Sequence, residues 1–152
     1  MDLSFQEKSI LGSLIITIGL FGFYFIEVFQ AVTAENSSAM VSLPFVLVGV
    51  VIAVVAVEVV YHVLIALVSK PEDEDERDKL IEAKATRISY FVLAVGCLMA
   101  VGHSMISVFF EDSVTTRVVA NPILTANLVI LAFILAEVVG FAMQLYYYRR
   151  GV

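Results

Sequence analysis

Residues 70–87 read KPEDEDERDKLIEAKATR. The stretch holds seven of the fifteen acidic residues and five of the nine lysines and arginines. The sequence on either side is almost continuously apolar. A water-soluble chain spreads its charge over a surface, whereas hydrocarbon excludes charge and gathers it into loops. Read this way, the block divides the chain into two hydrophobic hairpins, residues 9–69 and 88–148. The fold expected is an all-α polytopic membrane domain spanning residues 1–152, with 70–87 as its charged cytoplasmic segment.

Four apolar runs support this, at residues 10–32, 43–68, 88–110 and 123–147. A hydrocarbon layer of ~30 Å needs ~20 residues of helix, and each run meets that length. Many residues in them are β-branched, which disfavours helix in water. In lipid the helix still wins, because it satisfies every backbone group within one segment. At 152 residues and 61% hydrophobic content the chain is one domain. The net charge is −6, with the acid concentrated in this one block, and no basic stripe exists to track nucleic acid. The single cysteine, Cys97, excludes an intrachain disulfide. The opening residues MDLSFQEKSIL carry one lysine and lack a clear cleavage site, so they read as retained.

Charge also orients the chain. Lys8, the five basic residues of 70–87, Arg149 and Arg150 fall on one side of the four spans; only Arg117 falls on the other. The positive-inside rule then predicts cytoplasmic N- and C-termini. The outer loops, 33–42 and 111–121, are short and carry Glu35, Glu111 and Asp112. Short loops make sequential spans antiparallel neighbours.

The block itself predicts a helix. Acids after Pro71 suit a helix N-terminus. Asp73 with Arg77, and Asp75 with Lys79, have the acid-first i,i+4 spacing of helix ion pairs. Span 3 therefore starts near Glu74 and runs unbroken to Phe110, over ~50 Å at ~1.5 Å per residue.

An internal repeat is also legible. Pro44 and Pro122 each open a span after a polar loop, and each is followed by an EVV triplet, at Glu58 and at Glu137. Gly19-Leu20 and Gly96-Cys97 match more loosely. Two hairpins of one orientation imply a parallel repeat about an axis along the membrane normal. Asp75-Glu76-Arg77, Ile81 and Lys84-Ala85, leading into an apolar span, resemble the DER…I…KA juncture of uncharacterised small prokaryotic four-span membrane proteins. The resemblance implies a prokaryotic inner-membrane protein and carries no activity.

Five ionisable residues fall within the spans: Glu27, Glu58, His62, His103 and Glu137. A charge at the bilayer centre costs about 2.5–3.5 kcal/mol on insertion scales, so such groups by default face the bundle interior or water. Counted from each span's cytoplasmic end at ~1.5 Å per residue, His62 lies at ~9 Å, Glu58 and Glu137 at ~15 Å, His103 at ~22 Å and Glu27 at ~28 Å. The ~13 Å offset between His62 and His103 argues against one haem held by both. Glu58 and His62 share a helix face, and Glu137 could complete a divalent-metal set. A proton or cation relay through all five fits the stepped depths best. Two carboxyls meeting at one depth would share a proton or hold a cation between their oxygens.

Blander roles compete. Glu27 can snorkel to the outer interface. His62 can bond a backbone carbonyl, and His103 a neighbouring helix. Gly49 and Ala53 form a small-xxx-small pair, and Gly12, Gly19 and Gly22 thin span 1. Residues 146–150, YYYRR, read as an interfacial anchor. Met99, Met105 and Met143 read as core filling in preference to a copper stripe. Soluble catalytic motifs are missing from the sequence, so the expectation is a protein that is not an enzyme. Two functional classes follow: a small membrane protein that binds or relays a proton or divalent metal, or an accessory subunit of a larger membrane complex. Haem or another cofactor is a minor third. Partners are the lipid bilayer and a second copy or other membrane subunits.

Overall fold

The computed structural model describes residues 4–34, 37–69, 75–109 and 122–151. The Asp73–Arg77 pair, the helix start at Glu74 and the outer loop with Glu111, Asp112 and Arg117 lie outside the described residues, as does Glu35. Four helices follow in order: α1 (Phe5–Thr33), α2 (Ser37–Val68), α3 (Glu76–Phe109) and α4 (Pro122–Arg150). All regular structure among the described residues is helical, and each of the four is long and apolar enough to cross a membrane.

Local chemistry accounts for most of the boundaries. Ser4 caps α1 by accepting from the Glu7 N–H at 3.1 Å, while the Ser4 N–H donates to the Glu7 carboxylate at 3.0 Å. This reciprocal pair satisfies two otherwise orphaned donors. Asp75 and Asp78 do the same for α3: the Asp78 N–H donates to the Asp75 carboxylate at 2.7 Å and the Asp75 N–H to that of Asp78 at 3.2 Å. The Asp75 side chain thus serves the backbone, not the ion pair with Lys79 expected from spacing. α3 has 34 residues, about 51 Å at 1.5 Å each, so the unbroken rod expected from the sequence is present. α4 opens on Pro122, whose missing N–H costs nothing at a first helical position. It closes at Gly151, where φ is 73°, a left-handed conformation that glycine adopts freely.

One boundary differs from expectation. Pro44 does not open α2; the helix begins seven residues earlier, at Ser37. Most of the presumed outer loop 33–42 is therefore helical. A proline within a helix removes one backbone donor, and in membranes nearby side chains re-satisfy the ladder. Pro44 has no N–H to give the Met40 carbonyl; one residue earlier, the Ser42 hydroxyl adds a bond to the Ala39 carbonyl at 2.7 Å.

α1 packs against both α2 and α4, and α3 packs against α4; the other pairs touch at most marginally. The order in space is α2–α1–α4–α3. The core runs along α1, through buried Ser13, Thr17, Phe21, Tyr24, Val28 and Ala31. Their steps of three and four residues place them on one face. The α3–α4 seam is made of small residues. Gly96 lies so close to Ala132 that a Cβ there would collide with it. One to two turns toward the chain termini, the Ser89 hydroxyl donates to the Ala136 carbonyl at 2.6 Å. Close approach of backbones is how helices associate where lipid removes the hydrophobic drive.

α2 is held only by α1. Among its described side chains only Leu43 and Val50 are buried, and its outer face is bare. Nothing lies near Gly49, so the small-xxx-small pair is not used within the chain. Of the span 1 glycines only Gly12 meets another helix, where it makes room for the Tyr61 ring. The packing does not repeat between hairpins either. Gly96 is pressed against Ala132, whereas Gly19 faces open space. The α1–α4 contact has no comparable counterpart between α2 and α3.

Candidate functional site

Because α2 stands off from α4, a groove opens between them with α1 as its floor. It has a volume of about 490 Å³. Leu47, Val51 and Val55 of α2 form one wall, Val129 and Phe133 of α4 the other, and Phe21 of α1 lies beneath. Glu58 and Glu137 both line it, each being the last of its helix's groove-lining residues in chain order. The pair singled out in the sequence therefore shares one cavity, and that cavity is otherwise apolar.

His62 is one turn from Glu58 on α2, but its ring is engaged elsewhere. Nδ1 is 3.3 Å from the Ser9 hydroxyl and Nε2 is 3.3 Å from the Ser13 hydroxyl. Ser9 and Ser13 are themselves one turn apart on α1. A hydroxyl both donates and accepts, so two of them can satisfy the ring in either tautomer and when both nitrogens carry protons. The same contact zone is fixed by Tyr61, whose hydroxyl donates to the Lys8 carbonyl at 2.6 Å. Tyr61 also meets the His62 ring edge-on, with centroids 5.5 Å apart.

Ser9 has a second face. It lines a polar pocket of about 270 Å³ at the end of the bundle that carries both termini. Gln6 of α1, Asp78 and Glu82 of α3, and Gln144 and Tyr148 of α4 surround it. The Tyr148 hydroxyl donates to the Asp78 carboxylate at 2.8 Å, and the Arg77 guanidinium donates to the Tyr148 carbonyl at 3.3 Å. These bonds tie the end of α4 to the start of α3. A polar line thus runs from the pocket through Ser9 to His62, one helical turn from Glu58.

The other two ionisable groups stand apart. Glu27 is half-buried on α1, and His103 is half-buried on α3; neither lines the groove. His103 Nδ1 is buried, with no hydrogen-bond partner among the described residues. The five-member relay expected from depth alone is not one file: Glu58 and Glu137 share the groove, while the His62 ring is held by Ser9 and Ser13. The metal set Glu58, His62 and Glu137 is not gathered either. Among the described residues no three His, Cys, Asp or Glu side chains come together closely enough to hold a metal ion. The reason is local: the His62 ring is drawn toward α1 by its two serines.

Sequence reasoning passed over Ser9 and Ser13, and also a buried pair between α1 and α4. The Tyr24 hydroxyl donates to Asn127 Oδ1 at 2.5 Å, and Asn127 Nδ2 donates to the Ile123 carbonyl at 2.8 Å. An asparagine within an apolar run was the available signal, since its amide must find a partner in lipid. Comparison with protein-family models, curated proteins and solved structures returned no match.

Proposed function

We propose that this is a small multi-pass membrane protein that binds and passes a proton or another monovalent cation at Glu58 and Glu137. The observation that carries this is that two acidic side chains, from helices that barely touch, line one otherwise apolar groove. Burying two carboxyls in hydrocarbon is costly, and packing alone gives no return for it. Two such groups relieve their mutual repulsion by sharing a proton or by closing on a cation. The polar pocket and the Ser9–His62 contact supply a route for protons from the end of the bundle that the charge bias assigns to the cytoplasm. His62 is suited to that position because an imidazole can take a proton on one ring nitrogen and give one up from the other. The resemblance of residues 75–85 to small prokaryotic membrane proteins supports a prokaryotic inner-membrane location. On this reading the protein is not an enzyme.

The test is proton flux into reconstituted vesicles, measured beside thermal stability. Glu58→Gln and Glu137→Gln should each keep the fold, since an amide still forms hydrogen bonds, and should abolish flux. Wild-type flux at background level would reject the proposal.

The bare outer face of α2 favours a second reading, an accessory subunit that docks through α2. In that case the Gln variants are silent in every assay. Leu at either position then costs assembly, because the partner carboxyl is left without a bond.

A further inference from the structure

We infer that the groove between α2 and α4 is a binding site for a lipophilic organic cation, entered from the lipid, whose charge is met by Glu58 and Glu137. The inference deepens the proposed cation function by naming a ligand class, and it rests on that function for the exchange with protons.

Shape comes first. Leu47 and Glu58 are eleven residues apart on α2, so the groove runs about 16 Å along the helix at 1.5 Å per residue. All of its acid lies at one end, and the walls beyond are aliphatic and aromatic. The mouth faces sideways: Val51, Val55, Val129 and Phe133 are all exposed, and in a membrane they face acyl chains. A ligand arriving there must already partition into lipid.

Charge selects among such ligands. An inorganic cation would have to shed its hydration shell against apolar walls, which offer it no oxygen in return beyond the carboxyls. A fatty acid or anionic lipid would bring a third negative charge to the pair. A neutral lipid tail would fill the walls and leave the acids uncompensated. A bulky monocation with apolar substituents pays little for desolvation and gains contact along the walls. The ring of Phe133 adds an attractive face for positive charge. When the cation enters, the proton held between the carboxyls leaves. Charge is then conserved at the site, and the released proton has Ser9, His62 and the polar pocket to receive it.

The experiment uses purified full-length protein in lipid nanodiscs, with tetraphenylphosphonium as probe. Tetraphenylborate serves as a control of the same shape and opposite charge, and tetramethylammonium as a small cation without apolar bulk. Calorimetric titration in weakly buffered solution should show phosphonium binding with release of protons. The two controls should bind about tenfold more weakly or worse. Glu58→Gln and Glu137→Gln should each weaken phosphonium binding by about tenfold or more. Val51→Phe, which fills the groove away from the acids, should weaken phosphonium binding by about tenfold or more.

Equal binding of phosphonium and borate would overturn the inference, since the groove would then be an unselective apolar slot. Proton flux without phosphonium binding would also overturn it, while leaving the proposed function standing. A groove found occupied by a helix of a second copy or another protein, by crosslinking from Val51→Cys, would do the same. Absence of both flux and binding would remove the proposed function together with this inference.

Discussion

Two glycines in the middle of membrane helices have opposite surroundings here. Gly96 is wedged against Ala132, and Gly49 has nothing near it. Gly96→Leu should therefore force α3 from α4 and cost about 1–3 kcal/mol, the usual range for overpacking. Gly49→Leu should leave the monomer's thermal unfolding unchanged in mild detergent. At the α1–α4 contact, Asn127→Leu strands the Tyr24 hydroxyl and should cost about 1–3 kcal/mol, whereas Tyr24→Phe loses only about 1 kcal/mol. Unfolding midpoints of the two variants, measured side by side, check that order. These contrasts show what single residues reveal. Glu58 and Glu137 could be singled out because an acid in hydrocarbon needs a reason wherever it lies. Ser9 and Ser13 could not, because small hydroxyls are cheap in a membrane helix and most of them bond their own backbone. Their role depends on His62, 49 and 53 residues away in sequence.

At the scale of the helix, length and charge placement were legible and one boundary was not. Residues 75–109 announce themselves by their acids and by the apolar stripe that follows. The Asp75 cap precedes the first described helical residue, Glu76, and its carboxylate serves a backbone N–H and not Lys79. Asp75→Ala should cost about 1 kcal/mol and fray the first turn. Hydrogen exchange at residues 76–79 would show it, with no change beyond residue 90. Pro44 misled because proline usually stands at a helix start, whereas a helix in lipid tolerates it two turns in, as α2 does. Packing partners were the least legible of all. A helix that is apolar on every side does not say which side meets a neighbour, so the separation of α2 from α4 had no signature. The direction of insertion remains to be fixed by labelling. Ser38→Cys, in a Cys97→Ala background, should react with an impermeant maleimide from outside the cell only, as the eight-to-one charge bias requires.

For the molecule as a whole, the order α2–α1–α4–α3 places the groove between two unequal halves. On one side α3 and α4 are locked by a small-residue seam and by the Tyr148–Asp78 bond. On the other, α2 leans on α1 and leaves a wide face to lipid. That face, with Gly49 at its surface, is where a second copy would dock. A dimer mass in mild detergent that reverts to monomer on Gly49→Leu is the expected result. The length of α3 carries a further consequence. About 51 Å of continuous helix in a ~30 Å layer leaves a stiff handle of roughly 20 Å outside it. A rod without a joint cannot bend to absorb a displacement; it can only tilt. If α4 shifts when the groove fills, α3 is carried with it, because the Gly96–Ala132 seam and the Tyr148–Asp78 bond hold the two helices at both places, and the handle moves with the pair. The charged block at its tip is then a pointer, displaying in water what has happened in the hydrocarbon.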